Sequence, residues 1–139
     1  MSDHVDTSSR PVRRVMAELC VVLLLAGVTV ADYLAWLGWD QHRDVQPNGS
    51  ETGPYETWQV AGLVLVLAVV GIGAVWRGHR LATVLAITGG LTAAVSVDWS
   101  DDDSGLWVVG AAMVFIGTLA VTAVVAAVVG SVRSSARRT

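Results

Sequence analysis

Long apolar stretches divide this chain, and their length restricts the structures that it can adopt. Residues 60–76 carry no charged or amide side chain, and residues 81–97 and 106–132 are interrupted only by Thr, Ser and Gly. Residues 19–31 form a fourth stretch. A helix that rises about 1.5 Å per residue crosses the hydrocarbon core of a bilayer, about 30 Å thick, in about 20 residues. Because lipid offers no hydrogen bonds to a backbone, such stretches must form helices.

We therefore predict an all-α fold, a bundle of four transmembrane helices with antiparallel up-down topology. The predicted spans cover residues 15–38, 58–76, 81–98 and 106–132. Residues 39–57 would form an outer loop, residues 1–14 a disordered N-terminus and residues 133–139 a basic tail. Hydrophobic residues make up 53% of the chain and charged residues 15%, against about 25% charged in a typical soluble domain. A soluble all-α domain is disfavoured, because helices that are apolar on every face leave no face for water.

The arginines predict the orientation. Eight of the nine cationic residues, all arginine, lie before span one, between spans two and three, or after span four. By the positive-inside rule, both termini of a multi-pass plasma-membrane protein would then be cytoplasmic. Aromatic side chains favour the headgroup layer, and they form a belt at the opposite end that includes Tyr33 and Tyr55. Five tryptophans are predicted interface anchors: Trp36, Trp39, Trp58, Trp99 and Trp107.

A secretory signal peptide is the alternative for the first apolar stretch, since Arg13 and Arg14 precede it. The apolar character continues to Trp39, however, which is longer than the apolar region of a signal peptide. We therefore interpret the stretch as a span and the arginines as topology anchors.

Three carboxylates are candidate proton or cation sites: Asp32, Glu18 and Asp98. A charge at mid-bilayer costs roughly 2.5–3.5 kcal/mol on insertion scales, and less toward the interface. Asp32, in the outer third of span one, either lies inside the bundle near the hydroxyls of Thr88, Thr92 or Ser96, or reaches up to interfacial water. Glu18, one turn inside span one, and Asp98, at the end of span three, also suit an interfacial role.

Small residues predict where helices pack closely. Lipid supplies no hydrophobic drive between helices, so association relies on close backbone approach at Gly, Ala, Ser and Thr. Span four is rich in such residues, and spans two and three carry glycines. The predicted packing positions are Gly71, Gly117, Ala123 and Gly130.

Motifs of the common enzyme classes are absent from the sequence. It contains no Gly-x-Ser-x-Gly, no phosphate-binding glycine loop, no His-Glu-x-x-His and no Cys-x-x-Cys. The acidic residues of the outer loops lack the spacing of a calcium loop, and His and Cys are too sparse for a transition-metal site. We expect no catalytic residues, no metal and no cofactor. The expected partners are the lipid bilayer and either a second copy or another membrane protein, with no nucleic acid.

Two short stretches carry resemblances. Residues 53–60, GPYETWQV, followed by an apolar helix, resemble small four-span integral membrane proteins of unknown function from GC-rich bacteria, which implies a membrane protein and no particular activity. Met16-Ala17-Glu18 in the first span resembles the membrane-embedded glutamate of small multidrug resistance transporters, which exchanges protons for cationic drugs. Glu18 lies nearer the helix start than in that family, and the outer loop is longer.

These observations favour a small non-enzymatic integral membrane protein that serves as an accessory, scaffold or interaction subunit. The alternative is a small proton- or cation-coupled transporter or channel that uses an intramembrane carboxylate.

Overall fold

Four helices make up most of the part of the chain that the structure describes. The computed structural model describes residues 9–39, 44–45, 47–49, 51–52, 55–101 and 103–138. The helices are α1 (Ser9–Trp36), α2 (Thr57–Trp76), α3 (Arg80–Asp98) and α4 (Trp107–Ala136). Two short strands, β1 (Asp44–Val45) and β2 (Glu51–Thr52), pair antiparallel between α1 and α2. All four helices are long and apolar enough to cross a membrane, so the predicted four-helix all-α fold is confirmed.

Helices α1 and α4, the first and last in the chain, extend beyond their apolar stretches. Helix α1 begins at Ser9, well before the predicted start at residue 15, and α4 continues to Ala136 rather than ending at residue 132. A span predicted from hydropathy ends where charged residues begin. Because arginine is a good helix former, both helices nevertheless include the arginines that flank their apolar stretches. Residues 1–8 of the predicted N-terminal segment, and residue 139 of the tail, lie outside the described residues.

Hydrogen bonds fix both ends of α2. At its start, the side-chain Oε1 of Gln59 accepts the backbone N–H of Glu56 at 2.7 Å, which is one half of a capping box. At its end, the N–H of Gly78 donates to the Val75 carbonyl at 2.9 Å and the N–H of His79 to the Ala74 carbonyl at 3.1 Å. This pair of bonds is a Schellman motif, which needs a left-handed residue, and Gly78 has φ +105°. The chain therefore reverses within a few residues into α3.

Contacts at the two ends of the bundle define how the helices run. At one end, Glu18 of α1 meets His79 before α3, and Arg80 of α3 meets Gly130 of α4. At the other end, Tyr33 of α1 meets Asp98 of α3. Helices α1 and α3 are thus parallel, and consecutive helices are antiparallel. We call the end that contains Arg80 the arginine end and the end that contains Asp98 the aspartate end.

Helix α3 lies at the centre of the bundle. It packs against all three other helices, most extensively against α1 and α4, whereas α1 and α4 make no contact with each other within the described residues. The larger core cluster fills the aspartate half around Tyr33, Leu63 and Val95, and a smaller one forms around Leu25 and Ala86. Many large apolar side chains point outward, which is the arrangement that a lipid surrounding favours.

Candidate functional site

A hydrogen-bonded cluster of side chains joins three segments at the aspartate end. The hydroxyls of Tyr33 and Tyr55 both donate to Oδ2 of Asp98, at 2.6 and 2.5 Å. The two hydroxyl oxygens lie 3.2 Å apart, and the indole N–H of Trp99 donates to the Tyr55 hydroxyl at 3.3 Å. Since Tyr33 belongs to α1, Tyr55 precedes α2 and Asp98 ends α3, one carboxylate oxygen ties three parts of the chain together. We call these four residues the Tyr–Asp cluster.

The hydrogen bonds of the Tyr–Asp cluster suit a structural role that connects helices. Partial burial, together with the hydrogen bond to the Asp98 carboxylate, raises the pKa of the Tyr55 hydroxyl. This phenol therefore stays protonated at neutral pH and keeps donating its hydrogen bond, so it cannot serve as a base. Tyr33 is 1% exposed, which leaves its hydroxyl no access to water as an alternative partner. The arrangement holds helices in register.

Asp32 lies inside the bundle. Its side chain is 8% exposed, and Trp36 follows one helical turn later. Consecutive helical residues point about 100° apart, so Asp32 points in a different direction from Tyr33, which reaches Asp98. Among the described residues, no atom hydrogen-bonds its buried Oδ2. Of the two placements that the sequence left open, the structure has the interior one.

Neither of the two threonine hydroxyls expected near Asp32 bonds to it. Thr88 Oγ1 lies 3.4 Å from Thr122 Oγ1 on α4. Thr92 Oγ1 is buried and, within the described part of the chain, also has no hydrogen-bond partner.

The other two candidate carboxylates lie at opposite ends of the bundle. Glu18 is half-exposed at the arginine end and lies 3.3 Å from Nδ1 of His79. Asp98 belongs to the Tyr–Asp cluster. The structure therefore does not bring Asp32, Glu18 and Asp98 into one site, and of the three only Asp32 is a buried carboxyl with an oxygen that no described residue contacts by a hydrogen bond.

The four predicted packing positions divide into two pairs. Gly71 and Gly130 are buried: a Cβ at Gly71 would lie 3.1 Å from Ile87 Cδ1, and one at Gly130 would overlap the Arg80 guanidinium. Gly117 and Ala123 are exposed, and a Cβ at Gly117 would meet no described atom within 4 Å. Gly71 and Gly130 thus serve packing within the chain, whereas Gly117 and Ala123 face outward.

The five predicted anchor tryptophans are at the aspartate end in different environments. Trp39 and Trp58 are exposed, at 63% and 53%. Trp36, Trp99 and Trp107 are half-buried and pack against the core cluster. Trp36 meets Trp58 edge to face with ring centroids 6.0 Å apart, and a Cβ at Gly62 would collide with the Trp36 ring. Three of the five therefore also hold helices together.

Sequence reasoning missed the partnership of the two tyrosines with Asp98. It treated Tyr33 and Tyr55 only as members of an aromatic belt. A usable signal was present, because Tyr33 and Asp98 lie at the same predicted depth in parallel spans.

Among the described residues, no group of three or more His, Cys, Asp or Glu side chains is placed to hold a metal ion.

Comparisons with protein-family models, with curated proteins and with solved structures gave no match for this chain.

Proposed function

We propose that this chain is a small non-enzymatic integral membrane protein of the plasma membrane that acts as an accessory, scaffold or interaction subunit. The observation that carries the proposal is the state of α4. Its most apolar stretch is the most hydrophobic among the four helices, yet only 6% of that stretch is buried, against 11% in α1, 33% in α2 and 44% in α3. Helix α4 packs along α3 but has few fully buried residues, so its other faces are available to lipid or to another membrane helix.

The outward face of α4 suits close helix contact. Ala120, Ala123 and Ala127 are exposed, and at about 100° per residue they lie within about 60° of one another. Small residues at such spacing let two helix backbones approach closely in lipid. A second copy of this chain is the proposed partner, because a two-fold contact pairs the same patch on both subunits. We call Ala120, Ala123 and Ala127 the alanine face.

Substituting Ala123 with leucine is expected to weaken self-association about tenfold, because overpacking a close contact costs roughly 1–3 kcal/mol. Sedimentation equilibrium of the purified chain in detergent micelles would measure the dissociation constant. Gly117→Leu is the matched control: it adds bulk to the same helix, about 120° away from Ala123, and is expected to leave association unchanged. A monomeric wild type would remove self-association, and a native pull-down would then test for another membrane protein.

Both termini are proposed to be cytoplasmic, since the arginine end of the bundle carries the charges that the positive-inside rule retains there. A reporter that is active only outside the cytoplasm, fused after residue 139, is expected to be inactive. The same reporter inserted in the segment between α1 and α2 is expected to be active. The reverse result at both positions would invert the proposed topology.

A proton- or cation-coupled transporter is the second candidate, and the state of Asp32 favours it. A buried polar group that lacks a partner costs roughly 1–3 kcal/mol of stability. Retention of such a group fits a role in function rather than in folding, because functional sites often carry a stability cost. A carboxyl in this position could take up and release a proton.

Asp32→Asn tests the transport role. We expect this variant to remain folded but to lose proton flux in proteoliposomes loaded with a pH-sensitive dye, under an imposed proton or monovalent-cation gradient. Asp101→Asn is the control. Asp101 is exposed in the turn after α3, so this variant should keep the proton flux of the wild type. Absence of flux in the wild type, or equal flux in Asp32→Asn, would exclude Asp32 transport.

A further inference from the structure

An apolar groove of about 300 Å³ runs between α2 and α4, with α3 as its floor. Val64, Gly71 and Val75 line it on α2, and Gly117 and Val125 are among the residues that line it on α4. Two of its threonines do not make it polar: Thr83 donates its hydroxyl to the His79 carbonyl at 2.6 Å, and Thr122 donates to the Thr118 carbonyl at 2.7 Å. A groove lined almost entirely by apolar side chains suits an apolar ligand such as an acyl chain.

Two arginines lie beyond the groove at the arginine end. Arg80 is three residues before Thr83 of the groove floor, and its Nη2 donates to the Gly130 carbonyl of α4 at 2.6 Å. Arg133 reaches in the opposite direction, from α4 to the α2–α3 link, where a Cβ at Gly78 would lie 3.0 Å from its Nη1. Both guanidinium groups therefore lie where α3, α4 and the link between α2 and α3 meet.

No carboxylate among the described residues forms an ion pair with either arginine of this pair. The ion pair found within the described residues at this end joins His79 to Glu18, and it involves neither Arg80 nor Arg133. Two like charges at one helix junction repel each other unless an anion lies between or beside them. Basic pockets between membrane helices are suited to the phosphate of an acidic lipid headgroup.

We propose that this groove and the arginine pair together bind one anionic phospholipid. The headgroup phosphate would accept hydrogen bonds from Arg80 and Arg133, and one acyl chain would lie in the groove along Gly117. The two arginines select an anionic headgroup, and the apolar lining of the groove selects an acyl chain. A free phosphate has only the first of these features, and a lipid without net charge has only the second. The proposal concerns a different side of α4 from the alanine face, and it does not rest on self-association.

Native mass spectrometry of the full chain in detergent tests the proposal, with phosphatidylglycerol and phosphatidylcholine of identical acyl chains as probes. We expect phosphatidylglycerol to be retained about tenfold more strongly than phosphatidylcholine. Arg133→Gln should abolish this preference, and Gly117→Leu, which fills the groove, should lower the retention of both lipids. Arg80→Gln should act like Arg133→Gln, but Arg80 also bonds Gly130, so the decisive headgroup variant is Arg133→Gln.

Matched controls separate a built site from diffuse attraction. Arg138→Gln removes the same charge from an exposed position after α4, and Ala123→Leu adds bulk on the alanine face. Both should retain phosphatidylglycerol like the wild type. Equal retention of the two lipids, equal losses in Arg138→Gln and Arg133→Gln, or an unaltered Gly117→Leu would each overturn the proposal. Displacement of the lipid by millimolar inorganic phosphate would also overturn it, because it would identify a free-phosphate site instead.

Discussion

Replacing Asp98 with alanine is expected to lower the free energy of unfolding by about 3 kcal/mol, because hydrogen bonds to a charged group contribute roughly 1.5–3 kcal/mol each. The substitution removes the acceptor of two tyrosine hydroxyls at once. Tyr33 is 1% exposed, so its hydroxyl would be buried without its acceptor. Denaturant unfolding of the purified chain in micelles, followed by tryptophan fluorescence, would measure the loss, since Trp99 hydrogen-bonds Tyr55.

Two variants separate the hydrogen-bond network from the loss of a charge. Asp101→Ala removes a carboxylate from an exposed position near the same end and should change stability by no more than about 0.5 kcal/mol. Tyr33→Phe should cost less stability in the Asp98→Ala background than in the wild type, because the Tyr33–Asp98 hydrogen bond is already absent there. A similar loss in Asp98→Ala and Asp101→Ala, or an equal cost of Tyr33→Phe in both backgrounds, would show that the Tyr–Asp cluster does not stabilise the fold.

The Tyr–Asp cluster illustrates what the apolar pattern can and cannot predict. Hydropathy located Asp98 at the end of a span and Tyr33 in an aromatic belt, both at the same depth. It carries no information about the rotation of each helix about its axis, and this rotation decides whether Asp32 or its neighbour Tyr33 reaches Asp98. Depth was therefore available from the sequence, whereas the side-chain partnership required the packed structure.

Helix ends show a similar division. The start of α2 at Thr57 and of α3 at Arg80 lie one residue from the predicted starts at 58 and 81, because a glycine turn and a polar cap coincide there with the end of the apolar stretch. At α1 and α4 the apolar stretch ends before the helix does, since arginines continue the helical hydrogen bonding into a polar surrounding. Hydropathy predicts the part of a helix that suits lipid, and local hydrogen bonding sets where the helix stops.

The small residues were predicted as contact positions without their partners. Gly130 receives the guanidinium of Arg80, whereas Gly117 borders the groove and Ala123 lies on the alanine face. A glycine in a span indicates room for something large, and the sequence alone does not say whether a neighbouring helix, a side chain, a lipid or a second subunit fills the room. Gly90 is one of the glycines of span three that suit close packing but is not among the four predicted positions, and it has the closest backbone approach to another helix among the described glycines.

Gly90→Leu is expected to destabilise the fold by about 3 kcal/mol, the upper part of the range for overpacking. A Cβ at this position would lie 3.1 Å from the Ala26 carbonyl oxygen and from Thr29 Cβ, and 3.3 Å from Ala26 Cα. Backbone atoms cannot rotate away, so α1 must move from α3 along the interface that also carries the Tyr33–Asp98 bond. Unfolding in micelles would show a lower midpoint, and near-ultraviolet circular dichroism would show weaker tyrosine and tryptophan signals.

The neighbouring glycine provides the control for this close approach. A Cβ at Gly89 meets no described atom within 4 Å, so Gly89→Leu adds the same side chain to the same helix without a collision. Leucine favours a helix over glycine by up to about 1 kcal/mol, and Gly89→Leu should therefore match or exceed the stability of the wild type. Helix propensity and added hydrophobicity are the same in the two variants. A loss of stability in Gly90→Leu without a loss in Gly89→Leu therefore cannot arise from either of them. If both variants behaved alike, the parallel contact of α1 with α3 would have no close crossing at Gly90, and the central position of α3 would need another explanation.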